Sequence, residues 1–403
     1  MPFNRTISWV AIGLFAILMA SPALAQGPEG AQLFAPAELS TYGAPHVQPH
    51  EGYFFSFDGM YWSVSRPKTT LIGAVGFRDV GTRVQQVFDI PPDEHPEIET
   101  FAETSTEDTS ALTDNFQAAQ RFEFGRVEDN RGWLMSIFRW GPGEQNFSST
   151  QANVLFDDPI DPTTGHGLLF GRIGDGTIVI GDESVAVQVD GDLPIVFNNI
   201  AVHNDIDLWS VEASYLRRAK TFHNGGNLEV YLGARYMEFN ESFGVLATGG
   251  VLDRVRWNMD TGNHMIGPQV GGRYFKQQGR WIFSTEGRFM AAYNRQNLFQ
   301  EGEFAYTGTP GDIQRPFAWM GAQYSHRTTV DEFTPVAELR FDFRYVITRY
   351  IDFRVGWTGM YMNGIARPQN MISYAVPTMG IDATNNRQDV FVNGVTIGFD
   401  VNR

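Results

Sequence analysis

From Thr334 to Asn363 the chain reads TPVAELRFDFRYVITRYIDFRVGWTGMYMN. Every second residue from Pro335 onward is apolar or aromatic: Pro335, Ala337, Leu339, Phe341, Phe343, Tyr345. Between them lie Val336, Glu338, Arg340, Asp342 and Arg344. A period of two belongs to a strand, whose successive side chains point to opposite faces. After Val346–Arg349 the pattern resumes. Ile351, Phe353, Val355, Trp357, Gly359 and Tyr361 take one face, and Asp352, Arg354, Gly356, Thr358 and Met360 the other. The stretch is therefore an antiparallel hairpin with one apolar and one charged face. The apolar face has Tyr345 by the turn and Trp357 and Tyr361 far from it. Rings at both ends of an apolar band are what two membrane–water interfaces select. The charges on the other face alternate in sign, as groups paired inside a lumen would. The hairpin reads as membrane-spanning, with lipid outside and a polar interior. The competing reading is a soluble two-sheet sandwich with the apolar face on its core.

The rest of the chain is compatible with export. Arg5, the short apolar run Ile7–Ala20 and the small residues Ser21-Pro22-Ala23-Leu24-Ala25 have the form of a secretory signal cleaved after Ala25. The run is short of the ~20 residues a spanning helix needs. An exported chain without spanning helices is either soluble or a closed barrel. Residues 26–50 are rich in Pro and Gly and have no period, which predicts a disordered periplasmic leader. His46 and His50 fall in it and read as solvated histidines more readily than as a metal site. The sequence holds no Cys, so disulfides, thiolate nucleophiles and Cys-type metal sites are excluded. A net charge of −16 argues against a nucleic-acid partner.

Period-two segments recur along the chain. They predict strands at 53–63, about 119–127, 133–140, 206–217, 227–239, about 263–275, 280–293, the hairpin itself, and 390–401. That is an all-β chain, an antiparallel barrel of ten strands, with twelve as the larger alternative. Connections after even-numbered strands are short. Those after odd-numbered strands are long: 64–118, 141–204, 240–262, 294–333 and 362–388. Outer-membrane barrels sort their loops this way, with short periplasmic turns and long external loops. The expectation is a barrel over 51–403 with both termini in the periplasm.

The strand phases divide the side chains. The expected lumen-lining set is Asp58, Glu212, Glu229, Arg235, Glu286, Arg288, Glu338, Arg340, Asp342, Arg344, Asp352 and Arg354. The expected lipid-facing set is Trp209, Tyr215, Tyr236, Trp281, Phe341, Phe343, Phe353, Trp357 and Tyr361. Loops 64–118 and 141–204 are acidic, and divalent cations are conceivable ligands there. No loop has the D-x-D-x-D-G spacing, so solvated acidic loops are the plainer expectation, and no metal site or cofactor is assigned.

Four stretches resemble a known family: NLEVYLGARYMEFNESFGV, DTGNHMIGPQVGGRYFKQQGRW, EGRFMAAYNRQ, and FTPVAELRFDFRYVITRYIDFRVGWTGMYMNGIARP, which ends in Arg367-Pro368. They are similar to the strands of a putative β-barrel porin family expanded in planctomycetes, over roughly the last 200 residues and more weakly around Trp62. The resemblance implies an outer-membrane barrel and carries over neither a substrate nor catalytic residues. Many barrels end on a terminal Phe, whereas here Phe399 is followed by Asp400-Val401-Asn402-Arg403.

Two functions compete on this reading. In the first, the charged lumen is a passive, porin-like channel for small polar solutes. In the second, the charges pair and close the lumen, and the barrel is a structural or surface-interaction protein in outer-membrane lipid with acidic, cation- or glycan-binding loops. Ten strands lie near the width that side chains fill. A hydrolase at the rim is a remote third reading, with His203, Asp205 and Asp207 atop the fourth strand and Asp260 and His264 atop the sixth as its candidates. No G-x-S-x-G, H-E-x-x-H or P-loop is present, and the chain is expected not to be an enzyme.

Overall fold

The computed structural model describes residues 52–74, 106–156, 177–180, 183–186, 194–223, 225–249, 254–304, 322–348, 350–375 and 378–402. The expected signal (1–25) and leader (26–50) lie outside them. Ten strands form one closed barrel. They are β1 (Gly52–Val64), β2 (Asn115–Glu128), β3 (Arg131–Leu155), β4 (Pro194–Arg218), β5 (Gly226–Thr248), β6 (Arg254–Gln278), β7 (Trp281–Phe304), β8 (Ala322–Val346), β9 (Ile351–Ile365) and β10 (Gln388–Asn402). Each pairs antiparallel with its neighbours in sequence, and β1 closes the ring on β10, with Phe57 opposite Phe399.

The short connections share the end where β1 begins and β10 finishes. Asp129-Asn130 joins β2 to β3 and Gly279-Arg280 joins β6 to β7. A two-residue hairpin that follows the strand twist needs positive φ at its first position. Asp129 has φ 54° and Gly279 has φ 63°. The opening hairpin pairs as its alternation requires, Phe341 opposite Trp357 and Arg344 opposite Arg354.

Outward-facing rings form two girdles. Trp281 and Tyr345 meet at 4.9 Å near the short turns. Trp209 and Tyr236 meet at 5.3 Å nearer the other end, as do Tyr61 and Phe116. Between the girdles Phe57 packs on Phe122 and Phe283 on Phe343. Along β7 the stretch from Trp281 to Tyr293 rises about 30 Å normal to the sheet's belt, at ~3.3 Å per residue and a tilt of ~40°. That matches the apolar thickness of a bilayer.

The strands do not stop there, and this corrects the expected loops. β5 continues to Thr248 and β6 starts at Arg254, so strand takes up most of the connection expected over 240–262. β3 and β4 run to Leu155 and back from Pro194, and β7 and β8 extend to Phe304 and from Ala322. Within the expected 141–204 excursion, Thr177–Ile180 and Glu183–Ala186 pair as a small hairpin. Within the expected 64–118 loop, Leu71 and Asp108 form an isolated bridge. β1, β2, β9 and β10 keep about the height of the belt, while β3–β8 rise past it as a tall curved wall.

Above the belt the wall turns inside out. On β5, Val230, Leu232, Ala234 and Tyr236 face outward, with Glu229 and Arg235 inside. Beyond Tyr236 the outward positions are Glu238, Asn240 and Ser242, and Met237, Phe239, Phe243, Val245 and Ala247 are buried inside. The reason is the medium. Where lipid covers the wall, the outer face must be apolar; where water covers it, the apolar residues move to the interior. The upper interior is an apolar core that includes Phe156, Phe197, Trp257, Met259 and Leu298. On the side of the short strands it is closed by the segments 71–74 and 106–112 and by a strap, residues 366–375 and 378–387, which supply Ile72, Leu112, Met371, Tyr374 and Met379.

Candidate functional site

The interior of the barrel holds the charged residues and is the candidate site. It is layered. Lowest, near the short turns, Glu229 lies between Arg218 (2.7 Å) and Arg273 (2.5 Å), with the Tyr231 hydroxyl donating to it. Above it is a continuous network. Asp58 accepts from Arg121 (2.8 Å) and Arg354 (2.6 Å). Asp400 lies 3.2 Å from Arg344 and 3.5 Å from Arg354. Glu338 takes Arg235 (2.7 Å) and Arg340 (2.6 Å). Arg340 reaches Glu123 (2.8 Å), and Arg288 joins Glu212 (2.7 Å) and Glu286.

All twelve residues expected to line the lumen point inward: Asp58, Glu212, Glu229, Arg235, Glu286, Arg288, Glu338, Arg340, Asp342, Arg344, Asp352 and Arg354. They line no open space, for Asp58 is 0% exposed and Glu338 5%. The structure brings ten of them into ion pairs. Asp342 lies beside Gly356, where its carboxylate fills the space a Cβ would need, and Asp352 faces Asp400 across the β9–β10 ladder. The outward set is also placed on one surface. Tyr215, Trp281, Phe343, Trp357 and Tyr361 are exposed, and Trp209, Tyr236, Phe341 and Phe353 are half-exposed beside other rings.

Sequence reasoning missed Arg121, Glu123, Arg218, Arg273 and Asp400. A signal existed for most of them. Arg121 and Glu123 alternate with Phe122 and Phe124, and Asp400 follows outward-facing Phe399. Assigning faces to β2 and β10 would have found them.

Above the network an apolar belt crosses the lumen. Trp62, Phe138, Trp140, Met237, Phe239, Met265, Met290 and Met360 are among its members. Over the belt a polar layer grips the strap. Asn263 donates to the Ala366 carbonyl (2.9 Å) and accepts from the Ala366 N–H (2.8 Å). Asn294 and Gln296 donate to the Gly364 carbonyl at the end of β9 (3.3 and 3.0 Å), and Gln296 also to the Asn386 carbonyl of the strap (3.2 Å). Arg367 binds both oxygens of Glu241 (2.7 and 2.8 Å), and Gln369 donates to the same carboxylate (2.9 Å). Arg367 and Glu241 are both 0% exposed. Three residues from the stretches that carry the family resemblance, Glu241, Asn263 and Arg367, thus meet at one lock.

The hydrolase candidates do not form a site. β4 and β6 continue past them, so they sit partway up the outer wall and at no rim. His203 lies opposite Gly244, whereas His264 lies opposite Glu238 and meets the Tyr236 hydroxyl at 3.0 Å. Among the described residues no three His, Asp or Glu side chains gather to hold a metal ion.

The model of the putative beta barrel porin-7 family matches residues 89–402. The chain belongs to this family. With the closed ring of ten strands, this makes it an outer-membrane β-barrel. No curated protein matches it. Among solved structures it is similar to the outer membrane protease OmpT from Escherichia coli, at 7% identity and a TM-score of 0.41, over 87% of this chain and 97% of that one. It is also similar to the Ralstonia pickettii toluene transporter TbuX, at 9% identity and a TM-score of 0.21 over 87% and 90%. The Pseudomonas putida toluene transporter TodX is similar at 7% identity and a TM-score of 0.23, over 89% and 90%. Likenesses this remote say nothing of what the chain binds or does.

Proposed function

We propose that this family member is a closed-lumen barrel that works at its surface: a structural or surface-interaction protein, not an enzyme, anchored in outer-membrane lipid with its termini in the periplasm. One observation carries the reading: the interior is obstructed at successive heights by unlike materials. A channel needs a continuous polar path. Here the ion-pair network is followed by the Met and aromatic belt, then by the polar layer that locks the strap, then by the apolar core. Opening such a lumen means breaking several buried charge pairs, at about 3–5 kcal/mol for each pair left with one partner, as well as withdrawing the strap.

The passive channel for small polar solutes is the rival that the family's description favours, and the two are separable. Reconstituted into a planar bilayer, the folded protein is expected to show no stable current steps. A steady single-channel conductance from unmodified protein overturns the closed-lumen reading. If Arg340→Glu or Arg344→Glu then shifted anion–cation preference, the charged network would be the wall of a pore.

A further inference from the structure

The outer wall above the upper girdle has a feature that the closed lumen does not explain. Six outward positions on six adjacent strands stand in one line across the sheet: Asn146, His203, Gly244, Asn258, Glu301 and Ser325. His203, Glu301, Asn146 and Ser325 are exposed and Asn258 is half-buried. Four of these positions, Asn146, His203, Asn258 and Glu301, line a concavity of about 820 Å³ in the wall. Gly244 leaves room in the middle of the line for the His203 ring, which lies over it 2.0 Å from where a Cβ would stand. The rung below holds the centre in place, because Asp260 accepts from Ser242 (2.6 Å) and from Asn258 (2.9 Å).

We infer that this concavity binds a linear, neutral oligosaccharide lying across the strands. The spacing is the first reason. Neighbouring strands place the groups about 4.8 Å apart, close to the repeat of hexopyranose units along a chain, so successive sugars meet successive side chains. The chemistry is the second. Amide, imidazole, carboxylate and hydroxyl groups offer both donors and acceptors to vicinal hydroxyls. A polyanion is disfavoured because Glu301 in the line and Glu144, Asp205 and Asp260 on the rung beneath outnumber Arg256, which also lines the concavity, and Arg327 on that rung. A peptide strand would dock on a sheet edge through its backbone, whereas this is the middle of a paired sheet. Position is the third. Gly244 lies eight residues beyond the Tyr236 girdle, about 20 Å above it at ~3.3 Å per residue and a tilt of ~40°. That is beyond the lipid and within reach of a surface glycan. The inference adds a ligand class to the surface-interaction reading and stands independently of whether the lumen conducts.

The test uses the full barrel in an amine-oxide detergent, which carries no sugar, and isothermal titration with maltohexaose, cellohexaose and xylohexaose, with a polar hexapeptide as comparison. At least one hexaose is expected to bind saturably. Asn258→Ala and Gly244→Val are expected to weaken that binding at least tenfold. Glu301→Gln, which keeps the shape of an exposed side chain, is expected to weaken it severalfold. Each variant is first checked for folded-barrel mobility on a gel, and Glu301→Gln remains as the test if the others misfold. Failure of all three hexaoses to bind, binding that the three variants leave unchanged, or preference for the peptide each overturns the inference.

Discussion

The belt and the tall wall above it are built from the same strands with opposite polarity. In the belt, β5 turns Leu232 outward and Arg235 inward; ten residues later it turns Ser242 outward and Phe243 and Val245 inward. In the belt the apolar contribution comes from the solvent side and the interior is ionic. In the head the interior is an ordinary apolar core. The two parts should therefore fail differently. The belt's interior is sensitive to lost charge partners, and the head's interior to lost volume. The belt's outer face should reject charge that the head's outer face accepts.

The largest expected effect is on the ionic interior. Asp58→Ala leaves both Arg121 and Arg354 without their closest carboxylate. Removing one partner of a buried pair costs about 3–5 kcal/mol, and two guanidiniums place this case at the upper end. Urea unfolding of the detergent-solubilised barrel measures it. Asp58→Ala within 1 kcal/mol of the parent would mean that this layer is wetter than its burial indicates. The matching test in the head is Trp257→Ala. Trp257 is fully buried and packs against Phe156 and Tyr374, at 6.1 and 6.0 Å between ring centroids. The expected loss is about 3–5 kcal/mol, read as faster hydrogen exchange in β5 and β6 above Tyr236 with the belt unchanged. Loss of protection throughout the barrel would show that belt and head unfold as one unit.

The sharpest comparison places one substitution on the two outer faces. Leu232 faces outward at mid-belt on β5 and is 64% exposed. Arg there should cost about 2–4 kcal/mol, the value for a cation at the bilayer midplane. Leu246 faces outward on the same strand in the head, where it lines the concavity. Leu246→Arg should fall within about 0.5 kcal/mol of the parent. Equal penalties at the two sites would mean that lipid does not end at the upper girdle.

This inversion also explains what the sequence made legible. The belt was readable because one rule, apolar outward and charged inward, holds over every strand that crosses it. The rule started β9 at Ile351, where it begins, ended it four residues short of Ile365, and put Glu338, Arg340 and Arg344 inside. It then ended the fifth strand at Phe239, because Glu238 and Asn240 violate it, although the alternation itself continues through Glu241, Phe243, Val245 and Ala247. The period was intact and only its phase against the medium had flipped. The strap was illegible for a different reason. Asn263 and Ala366 are 103 residues apart, and Glu241 and Arg367 are 126 apart. Nothing local in either segment marks the other. The short resembling stretches contained all three lock residues, but only the closed ring places them at one height.

The smallest effect concerns the strap's exposed turn, where charge and not lipid or packing sets the order. Asp382 caps the turn Ala383–Asn385: its carboxylate accepts from the Thr384 hydroxyl (2.6 Å), the Thr384 N–H (3.0 Å) and Asn385 (2.7 Å). These bonds, the Thr384 hydroxyl first, hold the carboxyl below its ordinary pKa. A group lowered in the folded state stabilises it above the unfolded value, near 4 for Asp, and that contribution is lost as pH falls through the lowered value. Hydrogen exchange over 383–387, corrected for the intrinsic pH dependence, should therefore rise as pH falls below about 4. Asp382→Asn should already exchange faster at pH 6 and respond less to acid. The lock at Arg367 and Glu241 lies at the other end of the strap and is fully buried, so the tip should loosen while Ala366 keeps its protection. If acid released Ala366 together with the tip, the strap would be a single element held at its exposed end, and the buried lock would not be what keeps the interior closed.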